Sequence, residues 1–337
     1  MRWMRLLPLV AAAAVCAGQA ARAEARDRFY YMGYEIIQVI DGDTDAIVAD
    51  IPIKGATRDV DLTADRKFLY VSTNRHLMNK VDLAENRVVA TVDLSNDGWD
   101  RFLFGFALDP DGRTAYGALM SRKTSGGDVV VGKPVVAQFE LATGKLLRSV
   151  EVPWGVAHLV SVKGGRTLYA IGQDIYKIDT TGTDMKLAET VPMFDKQMNI
   201  LPFWDYTFDN GGVASMNYYT PEAMGLLLLN QETGDLQDIV LKGEPALAYS
   251  VILSPDRKKA YGVMDDLTVI DLAKKTYVAS VPIKEGTCYG INVSADGKKI
   301  YVGGGGSTLT IFDAQTLKPL KVLQMASDGM DLRRIAF

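Results

Sequence analysis

The chain has 337 residues and a formal charge of −4, with 37 Lys and Arg against 41 Asp and Glu. That balance excludes the clustered basic surface on which nucleic-acid binding depends. Two histidines, His76 and His158, are too few for a copper or zinc centre built on several imidazoles, and the lack of a Cys-x-x-Cys-His stretch excludes covalent haem c in this chain.

At the amino terminus Arg2 and Arg5 precede an almost wholly apolar run, Leu6 to Ala21, and Ala21, Arg22 and Ala23 place small residues at a cleavage site. This pattern predicts a secretory leader over residues 1–23, because the run is short for a bilayer span and no stop-transfer pattern follows. The mature chain, starting near Glu24, is therefore expected in the periplasm, without a membrane anchor. Cleavage removes Arg2, Arg5 and Arg22 and no acid, shifting the charge from −4 to −7, and leaves Cys288 as the sole cysteine, so no internal disulfide can form.

The first unit of the mature chain offers three strands, "RFYYMG", "EIIQVID" and "IVADIPI". A phrase then begins to recur: "LTADRKFLYVS" from Leu62, "ALDPDGRTAYGA" from Ala107, "ILSPDRKKAYGV" from Ile252 and "INVSADGKKIYVGG" from Ile291. Each copy sets Tyr five residues after the first Asp or Gly of a turn, as in Asp65/Tyr70, Asp111/Tyr116, Gly164/Tyr169, Asp256/Tyr261 and Asp296/Tyr301. Alternating apolar residues around such a turn read as a hairpin. A second hairpin phrase follows each, its turn opened by Asp41, Asp82, Glu140, Asp179, Asn230, Asp271 and Asp313, at intervals of 41, 58, 39, 51, 41 and 42 residues.

Seven units of about four short strands at this period predict an all-β fold, a seven-bladed β-propeller, as one domain over residues 24–337. The closing "LRRIAF", from Leu332, supplies the strand that the first unit lacks, so the amino- and carboxyl-terminal strands are expected to pair in one blade and leave no open edge.

The units are broken in three places: "SRKTSGGDVVVGKP" from Ser121 in the third, "NYYTPEAMG" from Asn217 in the fifth, and the long approach to the fifth, "MFDKQMNILPFWDY". Insertions of this kind gather on one face. Trp99 and Phe102 precede the inner strand of unit three, Trp154 that of unit four, Phe203 and Trp204 that of unit five, Tyr249 that of unit six and Tyr289 that of unit seven. An aromatic rim suits a partner protein or an apolar ligand; packing between sheets accounts for the same residues equally well. His158 sits in the inner strand of unit four, where it reaches a pocket or is simply hydrogen-bonded. Asp59, Asp61, Asp205 and Asp209 lie on or beside inner strands, but most Asp in these repeats form turns, and no metal or catalytic set stands out.

Three stretches, "LPFWDYTFDNGGVASMNYYTPEAMGLLLLNQETGD", "FGFALDPDGRTAYGALMSRK" with its later "GKPVVAQFELATGK", and "YGINVSADGKKIYVGGGGSTLTIFDAQTLKPL", resemble the β subunit of quinohemoprotein amine dehydrogenase, within the wider group of YVTN-type propellers. The resemblance implies a heterotrimer in which a dihaem cytochrome c subunit and a small subunit bearing cysteine tryptophylquinone oxidise primary amines to aldehydes, while the propeller holds no cofactor or metal, and no catalytic residue. It makes Trp99, Phe102, Trp154, His158, Phe203, Trp204, Asp205, Asn217, Tyr218, Tyr219 and Tyr289 the expected partner- and pocket-facing residues. The alternatives are a stand-alone periplasmic propeller that binds a ligand or serves as scaffold, and a lactonase-like hydrolase.

Overall fold

The computed structural model describes residues 26–95, 97–162, 166–201, 204, 206–286 and 288–337; the expected leader lies outside them. Antiparallel strands form a β-propeller, and a single turn of 3-10 helix, Phe194–Lys196, is the one helical element among the described residues. No helix there is long and apolar enough to cross a membrane.

The recurring phrase folds as its residues dictate. In each copy the turn Asp accepts hydrogen bonds from its own turn: Asp256 from Ser254 Oγ at 2.7 Å and the Lys258 amide at 3.1 Å, Asp296 from Ser294 Oγ at 2.7 Å and the Lys298 amide at 3.0 Å. These bonds hold both carboxyls below the usual aspartate range. The next residue is left-handed, with φ of 57° at Arg66, 67° at Gly112, 56° at Arg257 and 71° at Gly297. Glycine is at ease there and arginine is not. The two arginines reach inward: Arg257 Nη2 lies 3.1 Å from the Asn210 carbonyl and Arg66 Nη2 3.4 Å from that of Ala336.

The repeated tyrosines are buried and bridge units. Tyr169 donates to the Gly234 carbonyl of the next unit at 2.8 Å, and Tyr301 donates to Asp45 at 2.6 Å across the closure of the ring. Clusters of buried apolar residues fill the seams between successive units, as where Ala107, Tyr116 and Ala118 meet Leu159, Leu168 and Tyr176. Full burial of side chains of this size stabilises by about 1.5–3 kcal/mol each. The outermost strand Leu146–Glu151 alternates, because one of its faces meets solvent.

Closure is as expected. Strand Asp27–Asp41 pairs antiparallel with Gly329–Ala336, from Asp27 opposite Ala336 to Gly33 opposite Gly329. Phe29 stacks on Tyr301 of the last unit with ring centroids 3.8 Å apart. The blade count is not as expected: the strands form six hydrogen-bonded sheets rather than seven. Ala46–Leu62 is one unbroken strand of 17 residues. Its first half pairs with Asp27–Asp41 and its second with Phe68–Thr73, which joins the first two repeat units into a single six-stranded sheet. Asp100–Leu108 opens a second sheet of five strands, and four sheets of four strands complete the ring.

The insertion in unit three prolongs Thr114–Ser125 and returns as Asp128–Val131, a projecting hairpin. The fourth sheet, that of unit five, departs most. Its first strand is only Asn199–Ile200, and the turns over 206–212 then lie inside the ring.

Candidate functional site

Antiparallel strands fix which loops share a face. Connections from first to second and from third to fourth strand emerge at one end of the ring; those from second to third, and from one unit to the next, emerge at the other, here the rim. The exposed large apolar residues of the connections gather at the rim: Trp154 at 58%, Phe194 and Leu247 at 62%, Tyr34 at 59% and Val129 at 62% exposure. The other exposed apolar side chains lie on outermost strands, except Val130 and Val131 beside Val129 on the projecting hairpin and Phe337 at the carboxyl terminus.

The expected site residues divide on this structure. Trp154 stands out from the rim. Trp99 and Phe102 are half-buried, and the extended hairpin reaches back to cover them: Lys123 Nζ lies 4.8 Å from the Trp99 ring and the Arg122 guanidinium 5.3 Å from Phe102. Tyr289 lies 5.1 Å from Tyr249 and 5.9 Å from Trp204, so three aromatics of successive connections meet. Trp204 itself is buried with Tyr206 and Cys288 in the core of the last two units; it is a packing residue and not an open face. Burial pushes the Cys288 thiol up to about 12, which fits an inert apolar role.

Asn217 and Tyr218 also depart from expectation. Both are buried on Val213–Tyr219, with Asn217 Nδ2 donating to the Ala248 carbonyl at 2.7 Å and Tyr218 to Asp238 at 2.7 Å. Tyr219 is half-buried and accepts from the Ala248 amide at 2.6 Å. Asn217 and Tyr219 bind units five and six together, while Tyr218 bonds the outermost strand of its own unit, Leu236–Val240, because regular strand pairing continues through most of what the sequence presents as an insertion. Phe203 and Asp205 lie outside the described residues.

His158 is buried on the inner strand His158–Ser161 and lines a cavity of about 680 Å³ whose wall mixes Asp59, Asp61, Lys80 and Gln231 with apolar side chains such as Phe106 and Phe208. The cavity opens among the first turns, with Arg66, Asp109 and Gly112 in its wall, away from the rim. Gly105 permits its narrow wall: a Cβ there would stand 2.4 Å from the Ala157 carbonyl oxygen. A neighbouring cavity of about 380 Å³ shares Arg66, Phe208 and Gly211 with it.

The carboxylates on inner strands are clamps between units. Asp59 accepts the amides of its neighbour Val60 at 2.9 Å and of Phe106, in the next sheet, at 2.8 Å; Asp61 does the same for Leu62 and Leu108. Such bonds satisfy edge amides that a four-stranded sheet leaves unpaired at the axis.

One group was not apparent from the sequence. Asp209, from the turns inside the ring, bonds Arg333 Nη1 at 3.2 Å, the Arg334 amide at 2.6 Å and Asn292 Nδ2 at 2.7 Å. Arg333 is 1% exposed and also donates to Asp331 at 2.6 Å, with Tyr206 and Phe208 against its guanidinium. Burial raises the Asp331 carboxyl to about 6 despite Arg333. The fifth unit thus reaches across the channel and fastens the closing strand. The only hint in the sequence is the alternation of Asp331 and Arg333 on one face of the closing strand, which also carries Arg334.

No family model matches the chain, and no curated protein matches it. Solved structures do. A functionally unknown protein from Desulfotomaculum acetoxidans is 14% identical, with a TM-score of 0.63, over 92% of this chain and 98% of that one. Hydrazine synthase of Kuenenia stuttgartiensis is 15% identical with a TM-score of 0.54, over 87% and 90%. The dihydro-heme d1 dehydrogenase NirN is 14% identical with a TM-score of 0.56, over 92% and 74%. At these identities the likeness is one of fold, and the fold is the β-propeller.

Proposed function

We propose that the chain is the non-catalytic propeller subunit of a periplasmic quinohemoprotein amine dehydrogenase, seating a small quinone-bearing subunit and a dihaem cytochrome c subunit. The observation that carries this reading is the one-sided placement of exposed apolar side chains on the rim connections, from Tyr34 through Val129, Trp154 and Phe194 to Leu247. Apolar surface concentrated on one face of a soluble ring marks a contact with another macromolecule. The amine would be oxidised at the partner's quinone, and this chain's contribution is to bind, orient and wall that partner. Two of the structural neighbours carry names tied to redox chemistry of nitrogen or haem, hydrazine synthase and dihydro-heme d1 dehydrogenase, which suits a propeller in such company.

The test is affinity capture of the tagged chain from the periplasm of its source. Co-capture of a haem c absorbance, a quinone-staining small chain and amine-dependent dye reduction supports the reading. Recovery of the chain alone, from cells whose periplasm does oxidise amines, overturns it. A second reading, a stand-alone ligand-binding propeller, draws on the 680 Å³ cavity with His158, Lys80 and four carboxylates, Asp59, Asp61, Asp65 and Asp109, in its wall. Small-molecule binding by the isolated chain that His158→Ala abolishes would favour it.

A further inference from the structure

Two cations of the second unit have no carboxylate at hand. Arg58 Nε is buried without a hydrogen-bond partner. Arg75 rests its guanidinium 4.7 Å from the Phe104 ring, and burial, followed by the charge of Arg58, holds its pKa below the usual arginine range. Among the described residues neither arginine enters an ion pair, so two like charges face one another in partly dehydrated surroundings that cost free energy.

The backbone is bent to keep them there. Along Ala46–Leu62, Thr57 pairs with Thr73 and the next pair is Val60 with Val71, so Arg58 and Asp59 together oppose Ser72 as a bulge. Across from it, Asn74 and Arg75 are consecutive left-handed residues, with φ of 50° and 62°. For arginine that conformation costs on the order of 1 kcal/mol, where glycine would sit without strain. The next inner strand repeats the irregularity, pairing Leu103 with Leu119 and then Phe106 with Gly117, and this break contains Phe104. Two bulges and a strained turn therefore converge on one pair of guanidinium groups.

We infer that Arg58 and Arg75 form a binding site for a small oxyanion of carboxylate or phosphate type, between the bulge at Arg58 and Asp59 and the turn at Asn74 and Arg75. Two guanidinium forks match the paired oxygens of such an ion through charge-assisted hydrogen bonds. The Phe104 face orients Arg75, and the ion offsets the repulsion that the empty pair endures. This site stands independently of the proposed partners, since every residue of it lies in this chain.

The experiment is calorimetric titration of the isolated mature chain at low ionic strength with phosphate and, separately, with acetate, alongside thermal melts. Saturable one-to-one binding of either probe is expected, with a matching rise in Tm, and the better probe identifies the ligand class. Arg58→Gln and Arg75→Gly should each weaken it by about tenfold or more. Arg75→Gly should leave the anion-free Tm unchanged or higher, since it relieves the left-handed arginine. Absence of saturable binding by both probes, or binding that survives both substitutions, overturns the site.

Discussion

The two ends of the channel come from one repeat and carry opposite chemistry. The end of the first turns is polar, closed by hydrogen bonds of the chain to itself, and holds the cavities; the rim carries the exposed apolar side chains of the connections, Tyr34, Val129, Trp154, Phe194 and Leu247. The difference follows from what each end is made of. First turns recur with the same Asp-centred bonding in unit after unit, so they are structural parts. Rim connections differ in length and content from unit to unit, which leaves them free to be shaped by whatever they contact.

If the polar end is structural, damage there should unfold the molecule. Arg333→Ala leaves Asp209 and Asp331 buried without their cation and should destabilise by about 3–5 kcal/mol in urea unfolding. A loss below 1 kcal/mol would mean that the crossing from unit five does not fasten the ring. Asp59→Ala strips the Phe106 amide of its acceptor and should cost about 1–3 kcal/mol by the same measurement.

A pH series sharpens the point. The folded Asp331 carboxyl, raised to about 6, binds a proton more tightly than an unfolded aspartate. It therefore contributes stability that is fully present below about pH 4 and lost as pH rises through about 6. The turn aspartates, whose pKa values are lowered, act in the opposite sense and only at lower pH, below the ordinary aspartate value. Melting temperatures between pH 4 and 7 should show the Asp331 contribution in wild type and lose it in Asp331→Asn. At the rim the smallest stability effect is expected: Trp154→Glu should stay within about 0.5 kcal/mol of wild type. If the proposed function holds, its signature is lost capture of the proposed quinone-bearing partner, and a folding defect in its place would make Trp154 part of the core.

The propeller and its closure were legible because the repeat states them many times over: a turn Asp, a tyrosine five residues on and a second turn, with the missing strand of unit one found at Leu332 to Phe337. Blade number was less legible, since whether Ala46–Leu62 is one strand or two depends on pairing that continues past Gly55, and no residue type in the repeat announces it. Rim side chains were half legible. Trp154 and Tyr218 look alike in sequence, yet one lies on an irregular connection and the other on a strand whose alternation turns it inward. The crossing by Asp209 left no more than the Asp331/Arg333 alternation to be read, because it joins residues 124 positions apart and occurs once.

The pairing of the first strand with the last has a consequence for how the molecule is made. Arg26 and Phe337 exchange both backbone hydrogen bonds, at 3.2 and 3.0 Å, so the beginning and the end of the ring lie side by side. The ring cannot shut before the strand Gly329–Ala336 has been made, and folding must await the slowest, most distant contact in the chain. Joining Arg26 to Phe337 with a short linker and cutting at the exposed Gly126 and Gly127 instead should yield a circular permutant with the same sheets, whose latch now lies in the projecting hairpin.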